Sequence, residues 1–88
     1  MGIVRKTAIV VPCYNEEKRL RSDDFLSFAS NEKSVSFIFV NDGSTDATSG
    51  VLRKLIEADP TRFSSIELER NSGMAEAVRT GFLKAIEE

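Results

Sequence analysis

The chain has 88 residues, 41% of them hydrophobic, with 12 Lys or Arg against 14 Asp or Glu and a formal net charge of −2. That is enough chain for one small domain, and a near-neutral balance without a basic block argues against nucleic acid or an anionic membrane as a partner. A lone Cys and no His exclude a disulfide framework, zinc sites built on Cys or His, and His-based triads.

Residues 1–6 carry no hydrophobic signal region, and no apolar run approaches membrane-spanning length. Lys6 also breaks the myristoylation pattern that Met1-Gly2 would open. The expected setting is therefore reducing and cytoplasmic, or the cytoplasmic face of a membrane for a longer parent. Residues 7–11 (T-A-I-V-V) read as a first strand, closed by Pro12, which cannot donate to a sheet ladder. Residues 13–17 lead from that strand end toward a helix with a broken apolar face of Leu20, Phe25, Leu26, Phe28 and Ala29. Ser22-Asp23-Asp24 interrupts it, which predicts a short first turn and a fresh start capped at Ser22 or Asp23. Residues 30–33 read as a loop.

Residues 35–40 form the second predicted strand, whose apolar run Phe37-Ile38-Phe39-Val40 suits burial on both faces. It stops at the turn residues Asn41-Asp42-Gly43-Ser44. A helix is predicted over 46–58 with a stripe of Val51, Leu52, Leu55 and Ile56, ended by Asp59-Pro60. Residues 64–68 are a weaker strand with partial alternation. After the turn Asn71-Ser72-Gly73 comes a last helix whose stripe runs through Met74, Ala77, Val78, Gly81, Phe82, Ala85 and Ile86.

The order β-α-β-α-β-α predicts an α/β fold with a three-stranded parallel sheet. Right-handed crossovers put the first two helices on one face and the last on the other, with strand order 3-2-1. Residues 1–88 then read as a single truncated domain, the first half of something larger. The first strand keeps a bare apolar edge, which predicts a homodimer through that edge or the last helix unless residues 1–6 cover the edge.

Three strand ends converge on one edge of this sheet, at residues 12–16, 41–44 and 69–73. Asp42 there is an acceptor for ribose hydroxyls or the N–H edge of a base, or it simply closes the turn. Tyr14 offers a face for a flat base, worth ~1–3 kcal/mol in nucleic-acid sites, or packs on the sheet edge. Asn15 and Glu16 can accept from a ribose or base, or cap the helix. Glu17 is expected to pair with Arg21, and Cys13 to fill space, with no activating base beside it. Asp46 is a metal ligand or a helix-start carboxylate. Gly73 resembles a phosphate-facing helix start, and Arg79 pairs with a diphosphate or with Glu76. No G-x-G-x-x-G and no Walker motif is present. The residues alone describe a nucleotide-sized crevice of unassigned chemistry.

Three stretches carry a resemblance. V-V-P-C-Y-N-E-E-K-R-L (10–20), F-V-N-D-G-S-T-D-A-T (39–48) and R-N-S-G-M-A-E-A-V-R-T-G-F (70–82) resemble, in order and spacing, the signatures of family 2 glycosyltransferases, which have the GT-A fold. The third is similar to the polyprenyl-phosphate sugar transferase branch. The resemblance implies a Rossmann-like β-α-β-α-β-α half of a GT-A domain, with helices on both faces of the sheet. It also implies a nucleotide-diphosphate sugar donor bound by Pro12, Tyr14, Glu16, Asp42 and Gly73. Asp42 would hold the base or ribose. Family members also use a divalent metal, Mn or Mg, on an Asp-x-Asp site after the next strand, with a catalytic base beyond it. Both would lie past residue 88, so no catalytic or metal-binding residue is expected in this chain, and no turnover from it alone. Met74-Ala75 stand where the family usually has Lys-Gly, which removes a cation from the donor side. The expected function is the nucleotide-binding portion of an inverting glycosyltransferase. The alternative is a non-catalytic nucleotide-binding or regulatory module, which would lack an Asp-x-Asp further along its reading frame.

Overall fold

The structure is a computed structural model and describes residues 7–87. Its elements are β1 (Thr7–Cys13), α1 (Ser22–Asn31), β2 (Val35–Asp42), α2 (Thr48–Ala58), β3 (Phe63–Leu68) and α3 (Met74–Glu87). The three strands form one parallel sheet in the order β1-β2-β3. Thr7 pairs with Val35 and Cys13 with Asn41, while Asp42 pairs with Leu68, so all three strands finish on the same edge. The expected cover of β1 by residues 1–6 lies outside the described residues.

The central strand is buried on both sides, from Phe37 through Asp42. Alternation along the strands then divides the core. Phe37, Phe39 and Phe63 face α1 and α2 and cluster with Leu52, Leu55 and Ala29. Phe37 stacks on Phe63 with ring centroids 5.5 Å apart, and Phe25 of α1 meets Phe37 and Phe39 edge-on at 5.3 and 5.2 Å. Such pairs contribute about 0.5–1.5 kcal/mol each beyond the area they bury.

The opposite face belongs to α3, which packs on β1 and β2. It approaches on small residues, Ala77 and Gly81, one turn apart and both buried. A Cβ on Gly81 would lie 2.2 Å from Val10 Cγ1 and 3.1 Å from Val40 Cγ2, so the missing side chain sets the distance between helix and sheet. This narrow seam corrects the expected stripe. Met74, Phe82 and Ile86 are 73%, 59% and 79% exposed, because α3 spans only two strands and its flank overhangs them.

Several boundaries also differ from expectation. Pro12 does not close β1, which runs on to Cys13. The Thr7 N–H donates to the Ser34 carbonyl on the β2 side, so with a period of two the position of Pro12 turns its missing N–H to the open edge. Helix α1 is capped at Arg21 rather than at Ser22 or Asp23, and it runs on to Asn31, into the expected loop. Helix α2 begins at Thr48 rather than 46, because the Asp46 carboxylate accepts the Thr48 N–H at 3.0 Å and holds the preceding turn.

At the other end of the sheet, Arg62 ties three segments together. Its Nε donates to the Val35 carbonyl at 2.6 Å and its Nη2 to the carbonyls of Ala29, at 2.9 Å, and Glu32. This anchors the end of α1 to the start of β2.

Candidate functional site

The site end of the sheet is made of three loops tied to one another by polar side chains. Asn15 adopts a left-handed conformation (φ 50°), which Asn tolerates better than most residues. That turns its N–H onto Ser44 Oγ at 2.9 Å and lets its Oδ1 accept the Thr45 N–H at 2.8 Å. The Glu16 N–H donates to Thr48 Oγ1 at 2.9 Å, and Glu17 Oε1 accepts the Ala47 N–H at 3.1 Å. Glu17 therefore bridges loops instead of pairing with Arg21, which pairs with Asp24 at 3.2 Å. Beneath them the buried Asn41 donates through Nδ2 to Ser49 Oγ at 2.8 Å and Glu67 Oε1 at 3.0 Å, and its Oδ1 accepts from Ser44.

Asp42 performs the same service toward the third loop. Its carboxylate is 3% exposed and accepts the Ser72 N–H at 2.7 Å, the Ser72 hydroxyl at 2.8 Å and the Gly73 N–H at 2.9 Å. The Ser72 backbone bond, against the opposing effect of burial and with help from the Ser72 hydroxyl and Gly73 N–H, holds its pKa below the ordinary carboxylate value. The loops also touch through backbone. Gly43 has φ 68°, and a Cβ there would sit 2.3 Å from the Arg70 carbonyl carbon and the Asn71 nitrogen. Gly73, at φ 93°, gives the third loop its turn into α3.

Between the loops lies a cleft of about 640 Å³, within the size range of small-molecule sites. Pro12, Tyr14, Glu16, Asp42 and Gly73, the residues that the resemblance implies for the donor, all line it, whereas Asn15 and Arg79 do not. Tyr14 is 46% exposed. Four further residues line the same cleft: Cys13, Arg19, Asn71 and Met74. Arg19 was legible as part of a motif but not as a pocket residue. It enters because the turn after Glu16 folds back, with the Arg19 and Leu20 N–H groups both on the Glu16 carbonyl, and its guanidinium pairs with the Glu16 carboxylate.

The other candidates take structural places. Burial, with Glu16 and Glu67 nearby, pushes the Cys13 thiol up to about 11, so it stays protonated and unreactive at neutral pH. Asp46 accepts from the N–H and hydroxyl of Thr48, and Arg79 pairs with Glu76 at 3.1 Å. Among the described residues no group of three or more His, Cys, Asp or Glu is placed to hold a metal ion, so these residues do not fit the divalent cation that the resemblance implies.

A family model described as glycosyl transferase family 2 matches residues 8–88. Dolichyl-phosphate beta-glucosyltransferase of Dictyostelium discoideum is 36% identical over 86 residues, covering 86% of this chain and 26% of that protein. Undecaprenyl-phosphate 4-deoxy-4-formamido-L-arabinose transferase of Proteus mirabilis is 31% identical over 85 residues, covering 93% of this chain and 26% of that protein. The chain thus spans about a quarter of the length of these curated relatives. Among solved structures, a mannosyltransferase of Pyrobaculum calidifontis in complex with GDP-Man and Mn2+ superposes with a TM-score of 0.72 at 23% identity, over 90% of this chain and 24% of that one. That likeness bears out the Rossmann-like arrangement of parallel strands with helices on both faces.

Proposed function

This chain belongs to glycosyl transferase family 2, and from that premise we propose that it forms the nucleoside-binding part of a sugar-nucleotide transferase with a GT-A fold. One observation carries the proposal. Pro12, Tyr14, Glu16, Asp42 and Gly73, from three separate loops, border a single cleft at the carboxyl ends of the strands, where open α/β sheets bind their ligands. Tyr14 stacks on the base. The Glu16 carboxylate accepts a ribose hydroxyl. Asp42 holds the third loop in place through Ser72 and Gly73 and keeps lone-pair capacity on Oδ2 for a base N–H or ribose hydroxyl. Gly73, without a side chain, leaves room for the diphosphate.

In the full-length protein the bond from the anomeric carbon to the diphosphate oxygen breaks as an acceptor oxygen attacks from the opposite side. The nucleoside diphosphate leaves with the bonding pair, and the sugar is inverted. The names of the two relatives favour a polyprenyl phosphate as acceptor, and we place the reaction at the cytoplasmic face of a membrane. No helix among the described residues is long and apolar enough to cross one. A Mn or Mg ion belongs to this reading with ligands outside the chain. Calorimetric titration of the full-length protein with uridine and guanosine diphosphates, with and without Mn, tests it. One diphosphate is expected to bind in competition with its sugar conjugate, and binding by neither would overturn the proposal.

A second copy is the proposed partner of the β1 edge, which pairs with no strand among the described residues. That edge is apolar, and Phe28 on one side of the sheet and Phe82 on the other are 46% and 59% exposed. Unpaired apolar edges of this kind template pairing between chains. Light scattering of the 88-residue chain over a concentration series is expected to show a dimer mass. A mass that stays at one chain into the high micromolar range would remove this interface.

A further inference from the structure

We infer that Arg19 holds the anionic diphosphate of the ligand, a role that rests on the nucleotide reading of the cleft. Among the described residues that line the cleft, Arg19 alone carries a positive charge. The wall it faces includes two carboxylates, Glu16 and Asp42, which repel an incoming phosphate. Asp42 is already quieted by three donors from Ser72 and Gly73. Glu16 has Arg19. Met74, which also lines the cleft, is 73% exposed and offers no charge.

The arrangement is built for a hand-over. The backbone of Arg19 is fixed, because its N–H and that of Leu20 close a turn on the Glu16 carbonyl at 2.9 and 2.8 Å. That turn is in turn pinned to α2 by the Glu16 N–H on Thr48. The side chain, by contrast, is 76% exposed and bound only at its tip. A guanidinium has five donors in a planar fork, so it can keep Glu16 on one edge and take a phosphate on the other. Pairing with Glu16 then aims the fork before the ligand arrives. It also cancels the charge that would otherwise oppose binding.

The test is made on the full-length protein with EDTA present, so that no divalent cation masks the effect. Affinities for a nucleoside, its monophosphate and its diphosphate are measured for the unaltered protein, Arg19→Gln and Arg19→Lys. Arg19→Gln is expected to weaken the diphosphate about tenfold, the scale of a lost charge-assisted bond. The nucleoside should change by less than about twofold, and the salt dependence of diphosphate binding should flatten. Arg19→Lys should recover much of the loss. Equal losses for nucleoside and diphosphate, or no loss at all, would overturn the role of Arg19 while leaving the nucleotide reading in place. Failure of the unaltered protein to bind nucleoside or diphosphate, both in EDTA and with Mn supplied, would overturn both. Arg19 is exposed, so neither variant threatens the fold, and unchanged circular dichroism confirms that.

Discussion

Asp42→Ala is expected to weaken nucleoside-diphosphate binding by the full-length protein by ~1–3 kcal/mol, about 5- to 150-fold. The size follows from what the carboxylate does. It accepts the Ser72 N–H, the Ser72 hydroxyl and the Gly73 N–H, all at the mouth of the cleft. Alanine removes the shared partner of these three donors, and the loop that carries Gly73 loses its position. A ligand must then order the loop as it binds. Asp42→Asn separates the effects. Its oxygen can still accept from Ser72, but its amide group confronts the Gly73 N–H, donor against donor. It is expected to retain part of the affinity. Calorimetry with circular dichroism checks both variants, and undiminished affinity in a folded Asp42→Ala protein would take Asp42 out of the site.

Gly43→Ala is expected to have the largest effect on stability, about 3 kcal/mol, read as a fall in the denaturant midpoint at constant slope. Two costs add. The position has φ 68°, where an L side chain is strained, and the added Cβ would meet the Arg70 carbonyl carbon and the Asn71 nitrogen at 2.3 Å. These are backbone atoms and cannot swing aside. Relief requires the second and third loops to part, which also pulls Asp42 away from Ser72 and Gly73. Stability and ligand binding should therefore fall together. A midpoint within experimental error of the unaltered protein would show that the loops do not press on each other there.

The fold was legible because its signals are local. Phe37-Ile38-Phe39-Val40 can hardly be anything but a central strand, and the alternation of strands and helices leaves little choice of sheet. The cleft was legible in outline because strand ends in such a sheet must converge. What the sequence concealed depends on contacts between positions about 30 residues apart. Nothing local says that Asp42 spends its acceptors on Ser72 and Gly73, or that Asn41 reaches Glu67. The stripe on α3 misled for a related reason. Helical periodicity shows which residues share a face, but not how much sheet lies under it, and two strands leave Phe82 and Ile86 in solvent.

The two ends of the sheet are fastened by different chemistry, and acid should undo them in order. At the cleft end the fastenings include carboxylates. Asp42 and Asp46 are both held below their ordinary value of 3.8, by Ser72 and Thr48 respectively. A lowered folded-state value means stability that is present above the unfolded-state value and lost as pH falls through the folded one. At the far end Arg62 donates to the carbonyls of Val35, Ala29 and Glu32, acceptors that do not titrate. Acidification below about pH 4 should therefore open the protein from one side, as local unfolding and not as a global transition. Hydrogen exchange would then speed up first at the amides of Thr48, Ser72 and Gly73. The Phe37 amide, bonded to the Arg62 carbonyl at 2.7 Å, would stay protected. The molecule would lose its binding loops while its strands remain paired.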